Sequence, residues 1–254
     1  MAPMNISIYG NGSEEIRTLE DWKAYASTEG KWEDEYSAKE LARLWLEGQG
    51  ADAVIDLLQP VLPELTLSKA TAEAKTAFDS YPGGVRNHDV LAFGSADIGP
   101  VVIGIEGKVN EALGATIEAR YEEAAATKQR GDNTNLDLRV DGLLTSLAGR
   151  SLAEDPRLGG LRYQLFSALA GTLAAANEET KAVAVVVHLI ETPVADPRKF
   201  EQTRRAVADF ASVVLGDDNF SDLGGPYEAS NSTDAYRSDL PIWLGVIRTG
   251  PAAD

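Results

Sequence analysis

The sequence predicts a single α/β domain built on a mixed sheet, and three observations carry that expectation. Residues 87–114, NHDVLAFGSADIGPVVIGIEGKVNEALG, hold two apolar runs joined by a turn containing Gly and Pro, as in a strand pair. Residues 181–190 are almost continuously β-branched residues and alanine, the pattern of a strand buried on both faces. Segments of helical periodicity separate these runs. The expected organisation is a helical extension over residues 1–65 packed on a core over residues 66–254.

The bulk composition narrows the class. A chain of 254 residues with 44% hydrophobic and 25% charged residues is ordinary for a folded soluble domain. Cysteine is absent, which excludes a disulfide scaffold, a zinc–thiolate site and a cysteine nucleophile, and fits a reducing cytoplasm. No apolar run reaches the ~18 residues of a membrane span. The N-terminal stretch MAPMNISIYGNGSEE lacks the basic-then-apolar pattern of a secretory leader, so no membrane association is expected. The net charge is -17. Nucleic-acid binding usually leaves a basic footprint, so only a locally neutral or metal-loaded cleft suits a polyanion here. Residues 1–65 carry thirteen acidic and five basic side chains, whereas residues 120–162 carry seven of each. The later stretch is therefore the better candidate for meeting one.

In chain order, Ile16, Leu19, Trp22 and Tyr25 recur every three residues, so residues 14–28 read as a helix. Ser37 followed by Glu40 reads as a capping box opening a helix with Leu41, Leu44 and Trp45 inward. Glu40 has a second reading as a third carboxylate of a metal site. Residues 51–59 form a short helix that stops near Pro60 and Pro63. Residues 66–73 fit helix or loop equally. Residues 75–81 read as a strand entering the turn Pro82, Gly83, Gly84, although the AEAKTAF run also favours helix. After the strand pair, helices are expected over residues 115–130, 136–148 and 161–176. Leu161, Leu165, Ala168, Leu169 and Thr172 form the buried stripe of the last, with Gln164 at its edge. His188 reads as a hydrogen-bonded core histidine. A helix over residues 197–215, a long loop over 216–239 and a strand over 241–248 complete the chain.

The candidate chemistry lies on the strand pair. Period-two alternation puts Glu106 and Lys108 on one face with Val102 and Gly104, and Val101, Ile103, Ile105 and Val109 on the other. Asp89 opens the preceding strand. Two carboxylates suit Mg²⁺ or Mn²⁺, and a lysine orients water or stabilises charge on a phosphate. Gly104 would leave room beside Glu106 for an ion or a phosphate. The competing reading makes Glu106 and Lys108 a surface ion pair on an edge strand.

Asp89 followed by Glu106-Gly107-Lys108 resembles the motif of the PD-(D/E)xK nuclease superfamily. A longer match narrows this. The run Ile105 to Gly114, IEGKVNEALG, followed by Leu161-Arg162-Tyr163-Gln164-Leu165, resembles an uncharacterised bacterial family with VEGKxxExFG and LRYQL motifs, an SAKxLA helix and an upstream strand aspartate. Leu113 stands where that family has Phe. The resemblance implies a restriction-endonuclease-like core and metal-dependent cleavage of nucleic acid. It implies Asp89 and Glu106 as ligands of Mg²⁺ or Mn²⁺, Lys108 as the residue positioning water or phosphate, and Gln164 beside them. Arg162 and Tyr163 would meet phosphate and base, or pack at the surface. Glu111 falls in the matched run and reads otherwise as a carboxylate at the start of the next helix. A homodimer also fits, since two cuts in a duplex need two sites. The alternative is a non-catalytic member of the same fold that acts as an interaction or regulatory module.

Overall fold

The computed structural model describes residues 6–11, 14–26, 32–82 and 85–250. Its frame is an eight-stranded mixed sheet. The strands are β1 (Ser7–Tyr9), β2 (Glu15–Ile16), β3 (Thr66–Thr76), β4 (Arg86–Ala96), β5 (Gly99–Lys108), β6 (Ala182–Ile190), β7 (Leu223–Tyr227) and β8 (Ile242–Thr249). They lie in the order β2-β1-β3-β4-β5-β6-β8-β7. β3, β4 and β5 form an antiparallel meander, while β6 lies parallel to both β5 and β8. A parallel neighbour needs a crossover connection, and the segment between β5 and β6 supplies it as helices. These are α4 (Ile117–Gln129), α5 (Leu136–Leu143) and α6 (Tyr163–Ala174).

Every residue of β6 is buried, as its valine-rich sequence demands. Helices cover both faces. One layer is α1 (Leu19–Lys23), α2 (Ser37–Leu46) and α3 (Gln49–Leu58); its core includes Trp22, Leu41, Trp45, Ile103 and Ile105. The other contains α4, α5, α6 and α7 (Pro197–Leu215), with Val102, Leu165, Phe166, Val185 and Phe210 in its core. Phe166 and Phe210 meet edge to face at 4.9 Å. Val102 in one core with Ile103 and Ile105 in the other confirms the alternation expected along β5. No helix among the described residues is long and apolar enough to cross a membrane.

Several expectations need correction. The first strand of the meander is Thr66–Thr76, not residues 75–81. Ala, Glu and Lys favour helix weakly, but pairing with β4 on one side and β1 on the other decides the conformation. The expected turn lies partly outside the described residues, at Gly83 and Gly84. Residues 1–65 are not wholly helical: β1 joins the sheet parallel to β3, and β2 pairs β1. Thr18, with Asp21, forms the capping box that starts α1. At α2 the expected capping box is absent, because Ser37 is already helical and Tyr36 holds the cap position. The loop over 216–239 contains β7, a short edge strand carrying Gly and Pro.

The meander has one irregular rung. Ala72 pairs Val90 and Ala74 pairs His88, but the intervening Glu73 and Asp89, opposite in register, make no ladder pair. Glu73 has φ 50°, strained for a residue with a side chain. Beyond this rung the side chains change faces. Val90 and Ala92 belong to the α2–α3 core, whereas Ala74 joins the other core and His88 lies against Gly171 of α6.

Candidate active site

The residues singled out from the sequence converge where β4 separates from β5. The β4–β5 ladder ends at Val90 and Ile105. One residue further, the Asp89 carboxylate takes over the ladder's role: its Oδ2 accepts the Gly107 N–H at 2.8 Å. Asp89 is thus fixed on the backbone between Glu106 and Lys108.

Glu106 is fully buried. Its Oε2 accepts from Gln164 Nε2 at 2.6 Å, and its Oε1 pairs with the Arg86 guanidinium. Gln164 stands in the first turn of α6, so packing of the buried α6 stripe against the sheet delivers its amide to Glu106. Lys108 is only 7% exposed and makes no ion pair or hydrogen bond among the described residues. The surface ion-pair reading is therefore overturned: β5 is a central strand and neither side chain is exposed.

Arg86 was missed by sequence reasoning, since an arginine before an apolar strand carries no motif. The reversal of faces beyond the Glu73–Asp89 rung turns it toward Glu106. Burial lowers its pKa, and the charges of Asp89 and Glu73 oppose that. Glu73 was missed as well. Its carboxyl is buried, accepts from Asn87 Nδ2 at 2.6 Å, and has its pKa raised to about 7 by burial and then by the charge of Asp89. Arg86 thus pairs with Glu106 and lies within the electrostatic reach of Asp89 and Glu73. A buried ion pair repays its desolvation only when well matched, so removing either partner is costly.

Two glycines make this packing possible. A Cβ on Gly104 would lie 2.2 Å from Thr172 Oγ1 and 3.2 Å from His88 Nδ1. The space beside Glu106 is therefore filled by protein and not left for an ion, contrary to expectation. A Cβ on Gly171 would lie 2.6 Å from Thr76 Oγ1, 2.7 Å from His88 Nε2 and 2.8 Å from Arg86 Cγ. His88 is fully buried and held 3.0 Å from Thr76 Oγ1; burial and then Arg86 lower its pKa to about 3.

The remaining candidates have structural partners. Arg162 donates to the Gly114 carbonyl at 3.0 Å, in a turn that Gly114 makes at φ 67°. Tyr163 packs under Arg120, whose guanidinium lies 5.1 Å from the ring centre. Glu111 does not start the following helix. Its Oε1 accepts from Ser37 N at the start of α2, and its Oε2 from Val109 N and Asn110 N. Burial raises its pKa, but these N–H groups outweigh burial and hold it lowered. Glu40 spends its carboxylate on Glu35 N and Arg43, away from both expected roles.

No group of three His, Cys, Asp or Glu side chains among the described residues is arranged to hold a metal ion. The donor chemistry nevertheless fits a hard cation: two carboxylates on adjacent strands and an amide oxygen at Gln164. The cation position on Glu106 is held by Arg86, so a divalent ion fits only with the guanidinium displaced.

Fold and site together define an α/β protein with a buried carboxylate, lysine and glutamine constellation at the fork of its central strands. A family model described as a domain of unknown function (DUF6946) matches residues 15–220, and the chain belongs to that family. No curated protein and no solved structure matches it.

Proposed function

We propose that this protein is a cytoplasmic, Mg²⁺- or Mn²⁺-dependent nuclease of the PD-(D/E)xK type. The observation that carries this reading is the convergence of Asp89, Glu106 and Gln164, from three separate elements, with the buried Lys108 two residues beyond Glu106 on the same strand. The element order supports it: a three-strand meander, a helical crossover and a parallel fourth strand, with carboxylates on the second and third strands.

Asp89 and Glu106 are the residues to hold the ion. When bound, such an ion activates water and offsets the charge of the departing oxygen. Gln164 fixes the carboxylate plane of Glu106 through its N–H. Gly107 N–H does the same for Asp89. Lys108, which makes no ion pair among the described residues, is the group to meet a phosphate oxygen or orient water.

One observation favours a second reading, a non-catalytic module of the same fold. Arg86 seals Glu106, and a site neutralised internally needs no metal. Incubation of labelled single- and double-stranded DNA and RNA with Mn²⁺ separates the two. The nuclease reading expects cleavage that Lys108→Ala and Asp89→Asn abolish. Absence of metal-dependent cleavage across that panel favours the module.

A further inference from the structure

We infer that the open sheet face formed by β1, β3 and β4 is a track for single-stranded nucleic acid leading to the Asp89 fork. The binding itself stands on this surface alone; only its destination rests on the nuclease reading. A groove of about 420 Å³ runs along this face, with Tyr9, Lys69, Thr71 and Lys75 on its walls and Leu91 on its floor.

Strand register orders these residues into rungs. Lys69 lies opposite Phe93, and Thr71 lies between Tyr9 and Leu91. The next rung toward the site is Glu73–Asp89, where the faces of β3 and β4 reverse. The groove ends at Ala74 and Lys75, next to that rung. At ~3.4 Å per residue the Lys69 rung is about 14 Å from Asp89.

The chemistry of the walls selects the occupant. Lys69 and Lys75 are exposed and make no ion pair among the described residues, in a chain whose acidic side chains outnumber its basic ones by 40 to 23. Lys69 Nζ lies 6.0 Å from the Tyr9 ring centre and 5.1 Å from that of Phe93. Cations for phosphate beside aromatic faces for bases are the combination that holds single strands, because every unpaired base offers a π-face. In a duplex those faces are stacked on each other. The two lysines also lie outside residues 120–162, where charge counting had placed the better candidate for a polyanion contact.

The test is fluorescence anisotropy of 5′-labelled dT12 and rU12 in EDTA and low salt, where cleavage is silent. Wild type is expected to bind both. Lys69→Glu/Lys75→Glu should weaken binding at least ten-fold, and Tyr9→Leu several-fold. Lys181→Glu/Lys199→Glu, an equal charge change elsewhere on the surface, should have little effect. Thermal melts confirm folding of each variant, and Lys69→Gln/Lys75→Gln serves if the charge reversal unfolds. The inference is overturned if wild type binds neither oligonucleotide, or if the control pair weakens binding equally. It is also overturned if a duplex binds as tightly as dT12, or if poly-glutamate displaces dT12 as well as unlabelled dT12 does. Asp89→Asn should retain binding. Retained binding without metal-dependent cleavage by wild type sinks only the nuclease reading, whereas cleavage with unaltered binding by the groove variants sinks only the track.

Discussion

Gln164 and Glu106, 58 positions apart in sequence, meet at 2.6 Å inside the protein. The bond joins the crossover helix to the central strand and leaves one face of a buried carboxylate satisfied. Truncating Gln164 to Ala removes a donor from a buried charged acceptor, which costs about 1–3 kcal/mol. Urea denaturation of Gln164→Ala should show that loss, and no change in midpoint would mean that Glu106 finds another donor.

Arg86 holds the position a metal ion would take on Glu106. Arg86→Met should destabilise the protein by about 3–5 kcal/mol, because it leaves buried carboxylates without a cation. Mn²⁺ should then raise the melting temperature of Arg86→Met more than that of wild type, since ion and guanidinium no longer compete. Thermal melts with and without Mn²⁺ check both statements. An equal Mn²⁺ effect on both proteins would contradict the competition.

Two glycines beside the site should respond unlike a glycine elsewhere. Gly104→Ala and Gly171→Ala drive a methyl group into Thr172, His88 and Arg86, and overpacking of this kind costs about 1–3 kcal/mol. At Gly142 in α5 a Cβ would meet nothing within 4 Å, so Gly142→Ala should stabilise by about 0.5–1 kcal/mol. Melting of the three variants side by side tests the packing.

Acid should destabilise the fold through its histidines. Burial lowers the pKa of His188 to about 4, and burial with Arg86 lowers that of His88 to about 3. Both stay neutral in the folded state while the unfolded chain takes up protons near pH ~6.5. Stability is therefore lost as pH falls from about 6.5 toward 4 and 3. Glu73 acts in the opposite sense. Its folded pKa of about 7 means it keeps its proton where the unfolded chain loses one, so its contribution is lost as pH rises through that value. Histidine ring resonances followed by NMR should show both imidazoles neutral at pH 5. A protonated His88 at that pH would contradict its burial against Arg86.

Much of the fold was legible because burial leaves periodic traces. The all-buried β6, the alternation along β5 and the α6 stripe each appear in sequence as the pattern their environment requires. The Asp89, Glu106 and Gln164 constellation was legible through motif spacing. Arg86 and Glu73 were not, because their place in the site depends on a distorted rung that reverses the faces of β3 and β4. No periodicity encodes such a reversal, and φ 50° at a glutamate is invisible in sequence. β3 was misread because its Ala, Glu and Lys content argues helix while its pairing partners lie far along the chain. The roles of Glu40 and Glu111 were misread because their hydrogen-bond partners are set by tertiary contacts.

The central claim is that Asp89 and Glu106 form a divalent-metal site. Calorimetric titration of Mn²⁺ into wild type and Glu106→Gln tests it most directly, since glutamine keeps the volume and removes the charge. Wild type should bind Mn²⁺, and Glu106→Gln should lose at least ten-fold in affinity, about 1.4 kcal/mol. Equal affinity in the two proteins, with both folded, would contradict it.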